Sequence, residues 1–210
     1  MTFIIMHKIS RKTTERALLY LRTLEGLIKS KRYLVSSSEL AKMTGFSDVQ
    51  IRKDISKFGK VGTPRIGYKT IELRDILERF VLQQDSVQAA LFGVGNLGSA
   101  ILKYPGFHQG RIKIVATFDK DSKKIGKKIN GVNIYAIDRA PEIIKKTKIE
   151  IGIIAVPKEF SQEVADVVVL SGLKGIINFS PMFISVPKNV IVRDIDFTIE
   201  FLSLFCDIQR

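Results

Sequence analysis

Val87-Gln-Ala-Ala-Leu-Phe92, then Gly93-Val-Gly-Asn-Leu-Gly98, then Ser99-Ala-Ile-Leu-Lys-Tyr104 is the stretch that decides how this chain of 210 residues is read. The first six residues have the length of a buried strand, and the last six continue as a helix. Between them lies the pattern GxGxxG. Gly93 permits a tight turn, Gly95 lets a pyrophosphate approach the backbone, and Gly98 lets helix and strand pack closely, with Val94, Asn96 and Leu97 completing the loop. The unpaired N–H groups at the start of the helix would hold the phosphates. A second strand, Ile112 to Phe118, ends in Asp119, 21 residues beyond Gly98. A carboxylate there accepts both adenosine ribose hydroxyls, which favours NAD(H) over NADP(H). Asp119-Lys120-Asp121-Ser122 is also good turn chemistry, and that reading stays open.

Downstream, strands and helices alternate. Val132 to Tyr135, Glu150 to Val156 and Gly175 to Phe179 read as strands, with helices at about Ala140 to Thr147 and Glu159 to Ser171. The pattern is that of an α/β, doubly wound parallel sheet of Rossmann type over residues 84–192. Ligands lie beyond the carboxyl ends of such strands, which adds Val156, Pro157, Asn178 and Phe179 to the expected pocket wall. Pro157 and Pro181 also read as plain strand ends.

Upstream, residues 1–83 read as a separate basic domain. Residues 1–82 hold 17 basic and 8 acidic residues, against 17 and 13 in the longer remainder, so most of the net charge of +13 lies there. That asymmetry suits a polyanion, nucleic acid or a membrane surface, or else a solvated cationic face. A first helix is expected from Thr14 to Ser30, with an apolar stripe of Leu18, Leu21, Leu24 and Ile28. Ser36 and Glu39 form a capping-box pattern for a short helix that stops at Thr44-Gly45. Ser47 and Gln50 repeat the pattern for a helix running to about Phe58. On that helix Ile51, Ile55 and Phe58 share one face. Val49, Gln50, Arg52, Lys53, Ser56 and Lys57 occupy the opposite arc, and Asp54 lies to the side. Two helices around a glycine turn, the second with an exposed cationic face, match a reader of the DNA major groove, although a charged solvent face has the same pattern. Gly59, Gly62 and Gly67 then bracket Thr63-Pro64-Arg65, a hairpin wing that offers Arg65, with Lys60 and Lys69 beside it, to a minor groove or to phosphates. Leu73, Ile76, Leu77 and Phe80 close the domain, and Gln83-Gln84-Asp85 forms a polar joint.

Composition excludes other classes. At 45% hydrophobic and 26% charged the chain is globular rather than disordered. Cys206 is the single cysteine, which rules out an intrachain disulfide and a cysteine-rich metal site. The longest uncharged stretch, Val87 to Leu102, is too short and too polar to span a membrane, and Phe3 to Met6 is too short for a signal core, so a cytoplasmic protein is expected. There is no Tyr-x-x-x-Lys pair and no phosphate-loop lysine motif, and His7 and His108 read as surface residues. Catalysis is therefore not expected. Ile195 to Ile208 carries apolar residues around much of its circumference, so this last helix, residues 193–210, needs two surfaces. A second subunit supplies one of them in a homodimer; a last helix packed on its own domain is the alternative.

Tyr20-Leu-Arg-Thr-Leu-Glu25, Ile51-Arg-Lys-Asp-Ile-Ser-Lys-Phe-Gly59, Gly93-Val-Gly-Asn-Leu-Gly98, Tyr104-Pro-Gly-Phe107 and Asn178-Phe-Ser-Pro181 stand in an order and spacing that resemble the bacterial redox-sensing repressor family Rex, from about Thr14 to the end. The resemblance implies a homodimer that binds an inverted-repeat operator in double-stranded DNA when NADH is scarce and releases it when NADH rises. It implies that Arg52 and Lys53 read base edges, that Ser37 and neighbouring polar groups contact phosphate, and that Arg65 enters the minor groove. It further implies a last helix exchanged between subunits, which brings Asp196 and Phe197 to the partner's nicotinamide pocket. A switch would then have Asp196 pair with Tyr104 when the nicotinamide is reduced and with Arg16 when it is not. Asp194 is a second acid nearby; Ile195 and Phe197 flank Asp196 and select it. Two rivals remain: a Rossmann oxidoreductase carrying a basic module, and a repressor that answers to coenzyme A. Against the second, a carboxylate at Asp119 repels a phosphorylated ribose.

Overall fold

The computed structural model describes residues 9–81, 86–107 and 111–210. His7, His108 and the joint at Gln83-Gln84-Asp85 lie outside the described residues. The chain divides into two compact units, Met1–Asp85 and Ser86–Arg210.

The first unit begins with α1 (Arg11–Lys29), capped by the Ser10 hydroxyl, which accepts from the Thr13 N–H at 3.3 Å. Its buried face is Thr13, Ala17, Tyr20, Leu21, Leu24 and Leu27. The expected stripe is thus rotated: Leu18 is exposed, because the buried face is centred on Ala17, Tyr20, Leu24 and Leu27. After β1 (Leu34–Val35), α2 (Ser37–Thr44) carries the full capping box between Ser36 and Glu39 and ends where Gly45 turns left-handed at φ 76°. The next helix, α3 (Asp48–Ser56), has Ser47 as its cap, but only half of the second box forms. The Ser47 hydroxyl accepts from the Gln50 N–H at 3.1 Å, whereas the Gln50 side chain turns to Asp54. Ile51, Ile55 and Phe58 are buried as expected.

The expected wing takes a different form. Strand β2 (Tyr68–Lys69) pairs antiparallel with β1 rather than with a strand just before it. The tip is a tight turn closed by Thr63 and Gly67, which exchange backbone bonds of 2.9 and 3.0 Å. Arg65 stands at its apex, exposed, with φ 67°, a conformation rare outside glycine. Helix α4 (Thr70–Val81) buries Leu73 and Leu77 against α1 and completes the unit's core.

In the second unit β3 (Val87–Phe92), β4 (Ile112–Asp119), β5 (Lys128–Ile129), β6 (Val132–Ala136), β7 (Ile151–Ile154), β8 (Gly175–Asn178) and β9 (Ile191–Asp194) form one sheet in the order β5-β6-β4-β3-β7-β8-β9. All neighbours are parallel except β5 and β6. Helices α5 (Asn96–Lys103), α6 (Ala140–Thr147) and α7 (Ser161–Leu170) cover its faces. Alternate residues of β3 serve opposite cores: Ala89 and Leu91 pack with Ile101 and Leu102 of α5, and Ala90 and Phe92 with Ile143, Val164 and Val168. Strand order reverses at β3, where β4 lies on one side and β7 on the other, so the crevice opens at the end of β3. Two strands were not foreseen: the short hairpin partner β5 and the edge strand β9. The last helix, α8 (Phe197–Ile208), has no buried residue. Among the described residues, no helix is long and apolar enough to cross a membrane, and no group of His, Cys, Asp and Glu is placed to hold a metal.

Candidate functional site

Two sites are built, one in each unit. In the first, Arg52 leaves the exposed side of α3 and is held from two directions: its Nη1 donates to Asp48 Oδ2 at 2.5 Å, one turn earlier, and to Ser37 Oγ of α2 at 3.1 Å. So held, Arg52 lines a groove together with Ser36, Ser37 and the Val61 to Tyr68 turn that carries Arg65. Arg52 also keeps the Asp48 carboxyl below its usual range. Lys53, Ser56 and Lys60 are exposed, and the Ser56 hydroxyl returns to the Lys53 carbonyl at 2.9 Å. If the exposed α3 face reads DNA, as its sequence suggests, Arg52→Ala should lower affinity for a specific duplex by about 1–3 kcal/mol while leaving binding to unrelated duplex nearly unchanged. Competition anisotropy measures both; equal losses would make Arg52 a phosphate contact.

Gln50 and Lys57, expected on the open face, are drawn inward by Asp54. That residue is 0% exposed, not at the side of the helix as its wheel position implies. Arg16 donates to it from Nε at 2.5 Å and from Nη2 at 2.8 Å, the Tyr20 hydroxyl at 3.1 Å, Gln50 Nε2 at 3.0 Å and Lys57 Nζ at 3.5 Å. Lys57 Nζ also reaches Thr13 Oγ1 at 3.0 Å. Burial pushes the Asp54 carboxyl up, and the bonds from Arg16 and Tyr20 more than offset it, leaving it below the ordinary range. Burial, with Asp54 as acceptor, raises the Tyr20 hydroxyl well above its own. Removing one partner of such a buried pair costs about 3–5 kcal/mol. Sequence periodicity gives no sign of this cluster, because two of its donors, Arg16 and Tyr20, come from α1, 38 and 34 residues away from Asp54.

In the second unit, a cavity of ≈ 300 Å³ lies at the end of β3. Its wall includes Gly93, Gly95, Asp119, Val156 and Pro157, five of the residues expected there, together with Lys120, Lys124, Ile137 and Phe160, which were not. Gly93 adopts φ 91°, and a Cβ there would lie 2.5 Å from the Ala155 carbonyl oxygen, so the turn tolerates only glycine. Val94 is buried and its N–H donates to Asp119 Oδ2 at 2.8 Å. The other Asp119 oxygen accepts from the Asp121 N–H at 2.9 Å, and Lys124 Nζ stands 3.2 Å from Oδ2. Burial raises the Asp119 carboxyl, and these two N–H bonds and Lys124 outweigh it, so it is held ionised. Asp119 is therefore both the turn residue and an acceptor facing the cavity. Lys120 Nζ sits 2.9 Å over the centre of the Phe160 ring. Asn96, Leu97 and Gly98 open α5, where Gly98 is buried beneath the turn.

The remaining expected residues gather elsewhere in this unit. Asn178 is fully buried, with its amide spent on the Met182 carbonyl and on Asp194 Oδ1, both at 2.8 Å, and its Oδ1 accepting from the Ser180 N–H. It braces the end of β8 rather than lining the large cavity. Phe179 lies against Phe197, ring centres 6.2 Å apart. Asp196 caps α8, accepting from the Thr198 N–H at 2.8 Å, and shares a smaller cavity with Asp194. Tyr104, more than half exposed, packs edge-on against Phe107.

A family model described as "CoA binding domain" matches residues 84–182, and one described as "Putative DNA-binding protein N-terminus" matches residues 8–56. The chain is 40% identical to the redox-sensing transcriptional repressor Rex of Carboxydothermus hydrogenoformans over 203 residues, which is 97% of this chain and 98% of that one. This chain belongs to the Rex family of redox-sensing transcriptional repressors. The Rex protein of Pelotomaculum thermopropionicum is likewise 40% identical, over 91% of this chain and 90% of its own. Among solved structures, RSP, a Rex-family repressor, in complex with β-NAD+ and operator DNA matches with a TM-score of 0.88 at 31% identity, covering 95% of this chain and 92% of that one. RSP in complex with β-NADH matches with a TM-score of 0.84 at 30% identity over 95% and 94%.

Proposed function

We propose that this chain is a transcriptional repressor that binds an inverted-repeat operator and reads the NADH/NAD+ ratio, acting as a regulator in the cytoplasm and not as an enzyme. The observation that carries this is the match of nearly the whole chain to RSP bound to operator DNA and β-NAD+, with both of its own sites built to suit those ligands. Residues 1–83 serve as a winged-helix DNA-binding domain, 84–192 as the NAD(H)-binding domain and 193–210 as a dimerisation helix exchanged between subunits. Ser37, Ser47, Arg52, Lys53, Ser56, Lys60 and Arg65 face DNA, with Gln50 and Lys57 held back beside them by Asp54. Gly93 to Gly98 and Asp119 hold the dinucleotide, and Val156, Pro157, Asn178, Phe179 and Phe197 form or brace the wall around it. Support for the exchanged helix comes from α8, whose large apolar side chains are all exposed in the single chain.

In this reading the neutral, reduced nicotinamide favours a Tyr104–Asp196 hydrogen bond, and in its absence Asp196 turns to Arg16. A labelled inverted-repeat duplex, titrated with protein and then with NADH, NAD+ or coenzyme A at fixed salt, tests the function by fluorescence anisotropy. Release by NADH and not by equal NAD+ is expected. Tyr104→Phe should retain operator binding and lose most of that discrimination; undiminished discrimination would remove Tyr104 from the switch. A second ligand has one observation in its favour: Lys120 and Lys124 flank Asp119 at the cavity mouth and weaken its repulsion of a phosphorylated ribose. Release by coenzyme A at concentrations where NADH has no effect would select it.

A further inference from the structure

We propose that Asp54 is a positioning residue for DNA recognition, one that withholds Lys57 and Gln50 from non-specific contacts and fixes α3 against α1. The inference rests on α3 being the DNA-reading helix and is independent of the Tyr104–Asp196 switch. A carboxylate offers about four acceptor directions, and Asp54 uses them on donors from both helices: Arg16 and Tyr20 of α1, Gln50 of α3 and Lys57 just after it. Three of these donors are residues to which DNA or the switch would otherwise lay claim. Lys57 is the telling one. Its ammonium lies between Asp54 and Thr13 although its side chain is 45% exposed, so it stays leashed at the edge of the groove face instead of reaching freely for phosphate. Gln50, one turn before Asp54, is likewise held by its amide N–H.

The same geometry constrains Arg16. Nε and Nη2 are both committed to a fully buried acid, which leaves Nη1 as the edge a further carboxylate can use. Drawing Arg16 away would strand the Asp54 charge in the core. Whatever engages Arg16 is thereby tied to the orientation of α3 through one shared carboxylate.

The test uses full-length protein without nucleotide and compares the parent with Asp54→Asn, Arg16→Gln, the double variant, Gln50→Ala and Arg52→Ala. Operator and unrelated duplex affinities are measured across a salt series, alongside thermal unfolding. In Asp54→Asn the released Lys57 should strengthen binding to unrelated duplex and steepen the dependence of log K on log salt by about 0.9, one added phosphate contact. The ratio of operator to unrelated affinity should fall at least tenfold. The double variant replaces a buried ion pair with a neutral hydrogen-bonded one, so its melting temperature should recover toward the parent's while the ratio stays low. A merely structural role predicts the reverse: both affinities fall together and follow the melting temperature through every variant, while the salt slope and the ratio are unchanged. Those results would overturn the proposal. If Gln50→Ala and Arg52→Ala leave the ratio intact, the assignment of α3 as the reading helix fails and the proposal with it. If they lower the ratio and Asp54→Asn does not, only the role of Asp54 is lost.

Discussion

With Phe201→Glu and Leu204→Glu introduced together on α8, the protein should sediment as a monomer at micromolar concentration, and operator affinity should fall by two to four orders of magnitude. Both side chains are exposed in the single chain, Phe201 at 74% and Leu204 at 59%, and they belong to one of two apolar stripes on a helix with no buried residue. Burying a side chain of this size contributes roughly 1.5–3 kcal/mol, and α8 offers seven large apolar residues, enough to offset the cost of association. Two carboxylates in that interface instead carry an uncompensated desolvation penalty. The loss of operator affinity follows from geometry. In a dimer the second half-site is bound at an effective concentration of order millimolar, and a monomer forfeits that gain. Nucleotide binding should weaken far less than operator binding, since the β3 cavity itself is lined by residues before α8 and only Phe197 is lost from its proposed wall. A variant that still sediments as a dimer would place the interface elsewhere.

Gly98→Ala should abolish the NADH response while leaving operator binding intact, so that repression persists at NADH concentrations that release the parent protein. A Cβ at Gly98 would overlap the Gly93 carbonyl oxygen, which is backbone and cannot step aside without opening the turn. Overpacking of this kind costs about 1–3 kcal/mol, and here the strain falls on the peptide groups that are to face the pyrophosphate. Titration calorimetry should give a nucleotide affinity weaker by about 100-fold. Gly95→Ala separates the two effects. Its Cβ meets nothing within 4 Å and its φ is −80°, so the fold should be unaffected, and any loss of NADH binding then reports blocked approach of the phosphates. Tight binding by Gly98→Ala would mean that the dinucleotide does not use this turn.

Features set by neighbours along the chain are legible before any fold is known. The glycine spacing after β3, the full capping box at Ser36 and Glu39, the Ile51, Ile55 and Phe58 face of α3, and the alternation of strands and helices that makes a parallel sheet all follow from local periodicity and backbone sterics, and each stands in the structure where the pattern placed it. Tertiary structure alone decided where two distant segments compete for one group. Asp54 sits at the margin of its helix by periodicity, yet Arg16 and Tyr20, more than thirty residues away, bury it and with it redirect Gln50 and Lys57. Asn178 reads as a pocket residue until Asp194 and Met182 claim its amide, and β9 is a strand only because β8 is there to pair with it. Leu18 has the right spacing for a core stripe and the wrong phase, since the phase of α1 is set by α3 and α4 packing against it. Spacing fixes which residues share a face; only the packing of distant elements decides which face is buried and which polar groups must find their partners there.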